Sequence, residues 1–330
     1  MAATDAPSLG PGALRLDERA EAARIAIWMR DALSRRLHRR GLVVAISGGI
    51  DSSVCAALAV HALGSAKVYG LLMPERDSSG FSTQRGVLLA QHLGIAHEVM
   101  DIAPALEALG CYRQRDEAIR RVFPAYGEGW RNKIVISGGL AGGINHFRLV
   151  VSEPDGSLHE QRLPLREYLQ IVAATNFKQR VRKTMDYFHA DRLNYAVVGT
   201  PNRLEYDQGF FVKVGDGAAD IKPIAHLYKT QVYAMARALG LPQPICDAVP
   251  TTDTYTLPQG QDEFYFALPY AQMDLALWAL NQGAPAAALG AALACGEARA
   301  IRIYADIEAK RRAAAYLHAA AETLLEPSAR

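Results

Sequence analysis

Ser47-Gly48-Gly49-Ile50-Asp51-Ser52-Ser53 is the segment whose residue types carry the clearest chemistry. Glycines let a backbone approach an anion closely, and serine hydroxyls add donors. A helix opening at this point would aim its unpaired amides at the same anion, so the segment predicts a phosphate-binding loop. Asp51 would repel phosphate unless a divalent cation lay between them, which makes it a candidate Mg²⁺ ligand. The Gly-Lys-Ser/Thr ending of the common NTPase loop is absent, and this counts against simple phosphoryl transfer. On the glycines alone, an ordinary strand-to-helix turn is an equal reading.

The elements that would position this loop follow a repeating grammar. The apolar run Leu42 to Ile46 leads into the loop, a helix-compatible stretch runs from Ser52 to Leu63, and a second apolar run covers Val68 to Met73. The spacing then predicts a helix near Ser82 to Leu93, a strand near Ala96 to Met100, a long helix from about Leu165 to His189, and a strand from Tyr195 to Gly199. That alternation predicts an α/β fold, a doubly wound parallel sheet of the Rossmann-like kind. Ahead of it, Ala22, Ile25, Met29, Leu33 and Leu37 mark an amphipathic helix from Asp17 to Arg40. Beyond Lys229 the chain reads as helical, with segments at Tyr228 to Leu239, Asp262 to Asn281, Ala284 to Ala294 and about Glu297 to Leu325. Between Asp101 and Leu165 the rhythm breaks, and His146 to Ser152 and Leu158 to Arg162 flank Pro154-Asp155-Gly156 as a hairpin. The expected organisation is a flexible tail at 1–16, one catalytic domain at 17–283 with an insertion at about 103–164, and helices at 284–330 packed on the same domain.

Further motifs follow in order. Asn176 to Arg182 lies on the long helix, Val198 to Glu205 follows a strand, and Gly209 to Pro223 with Leu227 to Val232 forms a long loop and the start of a helix. The first loop resembles the SGGxDS loop of the N-type ATP pyrophosphatases, and the later segments resemble those of the NAD synthetase family within that superfamily. The resemblance spans roughly residues 41 to 275 and extends through Pro250-Thr251, Gln261 to Glu263 and Asp274. It implies that a nicotinate carboxylate of deamido-NAD attacks ATP to give an acyl-adenylate, releasing pyrophosphate, and that ammonia then displaces AMP. Carried over by position, Ser47, Gly48, Gly49, Ser52 and Ser53 hold pyrophosphate, Asp51 and Glu205 bind Mg²⁺, and Thr200, Lys229 and Thr251 contact ATP. Arg180, Lys213 and Asp220 contact the acceptor, and Asp51, Lys213 and Lys229 carry the chemistry. The resemblance also implies a homodimer. Each residue has a plainer alternative: Arg180 and Arg182, beside Lys178 and Lys183, suit a solvated helix face, and Glu205 and Asp220 suit caps. The segment Pro250 to Tyr255 and the run Ile307 to Arg311 depart from the family pattern. They leave open an amide ligase acting on another carboxylate; a regulatory relative without turnover is disfavoured by the presence of Asp51, Glu205, Lys213 and Lys229, and a tRNA-modifying relative by the lack of a basic appendage and of paired cysteines.

Composition narrows the field. Lys and Arg total 36 against 34 Asp and Glu, a net charge of +2, which argues against a dedicated nucleic-acid binder. The four cysteines lie far apart, without a zinc or disulfide pattern, so a reducing compartment is expected. No apolar run approaches the roughly 18 residues of a membrane span, and a cytoplasmic location is expected. With no glutaminase nucleophile motif around any cysteine, ammonia is expected to be taken directly or delivered by a separate glutaminase partner.

Overall fold

The computed structural model describes residues 9–10, 12–137, 146–248, 255–257, 260, 265–266 and 268–324. Helix α1 (Glu18–Asp31) begins where Asp17 accepts the Ala20 amide at 3.0 Å. Its continuation departs from the expected single helix: Ala32–Leu37 loosens into π-helical turns and stops at His38, whose φ is +51°. Strand β1 (Leu42–Ala45), helix α2 (Ile50–Leu63), strand β2 (Val68–Leu72), helix α3 (Gly80–Leu93) and strand β3 (Ala96–Val99) follow the predicted alternation. After the short helix α4 (Ala103–Ala108) and α5 (Cys111–Arg120), the strands β4 (Arg131–Ser137), β5 (His146–Ser152) and β6 (Leu158–Arg162) form a separate antiparallel sheet. The long helix α6 (Leu165–Leu193) returns the chain to strand β7 (Ala196–Val198). Beyond it come α7 (Arg203–Gln208), α8 (Lys229–Ala238), α9 (Gln243–Cys246), α10 (Tyr270–Asn281), α11 (Ala286–Ala292) and α12 (Glu297–His318).

The central sheet has the order β3-β2-β1-β7 and is parallel throughout. Helices cover both of its faces, so strand residues such as Leu42, Val43 and Val44 are buried on either side, which is why β1 reads as a continuous apolar run rather than an alternating one. On one face Val44 and Ile46 pack with Ile25 and Met29 of α1, Val54 and Leu58 of α2, and Met235 of α8. On the other, Val43, Leu71 and Val197 pack with Leu106, Tyr112 and Ala174. The hairpin lies where its turn signal put it, with Val150 opposite Glu160. Strand β4, unanticipated, completes that sheet by pairing Ile134 with Leu149, and α4 and α5 were likewise not foreseen.

The C-terminal helices build a further core from Leu277, Leu289, Ile303 and Ile307, onto which Leu204 of α7 packs. Leu9 and Leu14 also pack there. The last helix stops at His318. No helix among the described residues is long and apolar enough to cross a membrane. This core is tied to α8, which packs on the sheet: Asp274 of α10, fully buried, accepts the amides of Lys229 at 3.2 Å and Thr230 at 2.7 Å. It thereby caps α8 from another helix. Asp274→Ala leaves both amides without a partner, and urea unfolding should show a loss of about 2–4 kcal/mol; a loss below about 0.5 kcal/mol would show that water replaces the cap.

Candidate active site

The chain crosses from β1 to β2 on one side of the sheet, whereas β7 lies on the other side of β1. The loops leaving β1 and β7 therefore diverge, and this switch point is where open parallel sheets form their crevice. A cavity of about 610 Å³ opens there. Ser47, Gly49, Asp51 and Ser52 line it from the first loop, Thr200 and Glu205 from the β7 side, and Lys229 from α8.

The first loop is shaped by Gly48, whose φ is +78°. A Cβ there would sit 2.1 Å from the backbone oxygen of Ser82 in α3, so no side chain fits. Arg85 fixes the same peptide by donating to the Gly48 carbonyl at 3.1 Å. Gly49 then caps α2 without a side chain, which leaves the first helical amides facing the crevice. Ser47 Oγ accepts the Gly49 amide at 3.2 Å, and the hydroxyls of Ser52 and Ser53 donate to the Gly49 carbonyl at 3.1 and 2.8 Å. Ser53 and Gly48 shape the loop without lining the cavity.

Asp51 and Lys229 meet across the crevice in an ion pair, and Asp51 Oδ1 also accepts from Asn202 Nδ2 at 3.0 Å. Asn202 in turn caps α7: its Oδ1 accepts the Leu204 and Glu205 amides at 3.0 and 3.2 Å, while Glu205 Oε2 accepts the Asn202 amide at 3.1 Å. Glu205 is thus a cap and a cavity wall together. Asn202 is the link that sequence reasoning left without a role, although Asn202 followed three residues later by Glu205 is the capping-box spacing.

Charge in this site is out of balance. Burial and the neighbouring Asp51 carboxylate push Glu205 up to about 8 from its ordinary 4.5. Burial works against the Lys229 ammonium, but Asp51 and Glu205 more than offset it and raise its pKa. Lys229 is therefore a fixed cation and not a base. Two carboxylates around one cation suit a divalent metal: Mg²⁺ is characteristically held by one or two carboxylates, with the remaining ligands from phosphate and water. Among the described residues no group of three or more metal-ligating side chains converges, here or elsewhere, so Asp51 and Glu205 are a pair and no more. Nor does a histidine line the cavity among those residues, so the serines lack the base that nucleophilic catalysis requires.

Other predicted residues lie elsewhere. Arg180 and Lys213 line a second, adjoining cavity of about 270 Å³ with Asn176, Tyr316 and Leu317. The Lys213 ammonium donates to the carbonyls of Tyr316 and Ala319 at 2.9 and 3.0 Å and lies 4.3 Å above the Tyr316 ring. Asp220 lines neither cavity; it accepts the Val197 amide at 2.7 Å and the Tyr187 hydroxyl at 3.4 Å. Thr251 falls outside the described residues. The solvated-face alternative, raised for Arg180 and Arg182, suits exposed Arg180 but not the other cations around it. Arg182 lines the main cavity and donates to the Met73 carbonyl at 3.1 Å, Lys183 pairs with buried Asp186 at 2.8 Å, and Lys178 is buried among carboxylates.

The pH dependence follows from Glu205. Its folded pKa lies above the unfolded value, so its favourable contribution is complete below about pH 4.5 and is lost as pH rises through about 8. A divalent metal held by Glu205 would have to displace that proton, so apparent Mg²⁺ affinity should rise steeply between pH 6 and 8, by up to about tenfold per unit. Calorimetric titration at several pH values checks this. An affinity that stays flat with pH, or an unchanged slope in Glu205→Gln, would contradict it.

Comparison with known proteins places this arrangement. The NAD synthase family model matches residues 21–122 and 149–311. The chain is 57% identical over 306 residues to the NH(3)-dependent NAD(+) synthetase of Rhizobium meliloti, covering 92% of this chain and 91% of that one. The same fold appears in the NMN synthetase of Francisella tularensis, with a TM-score of 0.64 at 23% identity over 94% of this chain and 99% of that one. It appears again in the NH3-dependent NAD synthetase of Campylobacter jejuni, with a TM-score of 0.60 at 19% identity over 94% and 100%. A phosphate-type loop on a parallel sheet, a carboxylate pair at its switch point and this extent of identity lead to one assignment: the chain belongs to the NAD synthase family.

Proposed function

We propose that this enzyme forms an amide by adenylating the nicotinate carboxylate of deamido-NAD with ATP, then exchanging AMP for ammonia to give NAD. The observation that carries the reading is the 57% identity over 92% of the chain to an NH(3)-dependent NAD(+) synthetase. The convergence of Asp51, Glu205 and Lys229 on the loop cavity supplies a matching site.

In this reading the triphosphate lies along Ser47 to Ser52, where the α2 amides and the hydroxyls of Ser47 and Ser52 exchange internal hydrogen bonds for phosphate oxygens. Asp51 and Glu205 hold Mg²⁺, which when bound offsets charge between the phosphates. The protonated Lys229 faces the α-phosphorus region and stabilises the charge that builds as pyrophosphate departs. Thr200 contacts ATP from the β7 side. The acceptor carboxylate attacks the α-phosphorus, its C–O–P bond forms as the α,β P–O bond breaks, and ammonia later attacks the acyl carbon to expel AMP. No covalent enzyme intermediate is required. Arg180 and Lys213 line the adjoining cavity and suit the acceptor's phosphates, provided Lys213 exchanges the Tyr316 and Ala319 carbonyls for them. Exposed Leu165, Leu169 and Phe188 on α6 support a homodimer, the commonest symmetric assembly. A reducing, cytoplasmic setting suits the four cysteines, all of them free.

The test is product analysis with ATP, ammonium and deamido-NAD. AMP, pyrophosphate and NAD should appear in equal amounts, and ADP as the primary product would refute the reading. A smaller nicotinate mononucleotide turned over in its place would assign the alternative, an amide ligase for another carboxylate. Asp51→Asn should lower turnover at least 100-fold. Because it leaves the buried Lys229 ammonium short of a partner, it should also cost on the order of 3 kcal/mol of stability, where a free loop position would cost little.

A further inference from the structure

The loop that follows β2, Met73 to Ser78, faces two ways. Met73, Pro74 and Ser78 line the main cavity. Glu75 and Asp77, between them, turn away from it into the protein, where their side chains are almost wholly buried. There Lys178 of α6 bridges both carboxylates, at 3.0 Å to Glu75 Oε1 and 2.6 Å to Asp77 Oδ2. Tyr112 of α5 donates its hydroxyl to Glu75 Oε2 at 2.7 Å and accepts the Arg76 amide at 3.3 Å. Arg115 of α5 pairs with Asp77 and reaches Asp116 at 2.8 Å, and the Arg76 guanidinium lies 3.8 Å above the Tyr112 ring. A buried carboxylate without its partners is strongly disfavoured, so these contacts determine which way the loop faces.

The position of the loop passes on to the phosphate-binding segment. Ser78 leads into α3, whose Ser82 backbone abuts Gly48 and whose Arg85 holds the Gly48 carbonyl. A loop released from α5 and α6 would let two carboxylates swing toward a cavity built for a polyanion. We propose that Tyr112 and Lys178 are positioning residues for the nucleotide: they latch the Met73 to Ser78 loop, keep Glu75 and Asp77 turned from the triphosphate, and give α5, outside the sheet, a role in ATP affinity. The inference rests on reading the main cavity as the ATP site.

Tyr112→Phe is the decisive variant, because it removes one hydroxyl without changing the packing volume. The latch predicts a KM for ATP raised about 3- to 10-fold, kcat at saturating ATP within about twofold, and an unchanged KM for the acceptor. Lys178→Met should move the same constant further in the same direction. Titration with α,β-methylene-ATP should show the same loss of affinity in the absence of chemistry. A KM for ATP within about 1.5-fold of wild type in Tyr112→Phe, or equal changes in both substrates' constants, would overturn the latch; should Lys178→Met fail to fold, Tyr112→Phe decides alone. Failure of the unmodified protein to bind the analogue would overturn the ATP reading itself, a result distinct from either.

Discussion

Lys229 has no exposed surface, and the Asp51 carboxylate receives its ammonium. A lysine in the first turn of a helix works against the helix dipole, and its burial works against its charge. The rest of the site answers both costs. Asp274 brings a carboxylate to the α8 amides from α10, Asn202 supports the far oxygen of Asp51 from the start of α7, and Glu205 ties Asn202 in place. Four segments distant in sequence, α2, α7, α8 and α10, are thus held in register by one buried ion pair and the hydrogen bonds around it. The C-terminal helices take part in the site through Asp274, not merely in covering the sheet.

The sheet and the first loop were legible in sequence because both rest on local rules. Strands buried on two faces must be apolar throughout, and Gly48 must be glycine where a backbone closes within 2.1 Å of a Cβ position. What escaped depends on partners far away along the chain. Lys178 reads in sequence only as a neighbour of Arg180 and Arg182 on a cationic face of α6, yet it is neutralised by Glu75 and Asp77 from a loop about a hundred residues earlier. The π-helical turns at Ala32–Leu37 interrupt a periodicity that carried no sign of interruption. Strand β4 did carry one, the alternation of Asn132, Ile134 and Ile136 with Arg131, Lys133 and Val135, but its charged outward face hid it.

Lys213 illustrates how far a motif reaches. It shares a cavity with Arg180, but its ammonium is occupied by carbonyls at the end of α12. The adjacent Val214, a β-branched residue at φ +61°, adopts a backbone conformation that costs energy, on the rim of the second cavity. Strain and an engaged lysine thus lie side by side at one rim.

Helix α2 is buried on nearly every side, from Ser52 through Ala59, whereas Leu158 to Arg162 of β6 are exposed throughout. The main cavity draws on both parts, since Ile136 and Phe147 of the small sheet line it along with Ile50, Asp51 and Ser52 of α2. A substitution in α2 must be absorbed by the whole core, while the small sheet can change length or outward sequence with few neighbours to accommodate. The two walls are therefore unequal in the variation they tolerate: the wall at α2 is locked into the core, and the wall at the small sheet belongs to an element with an open outer strand.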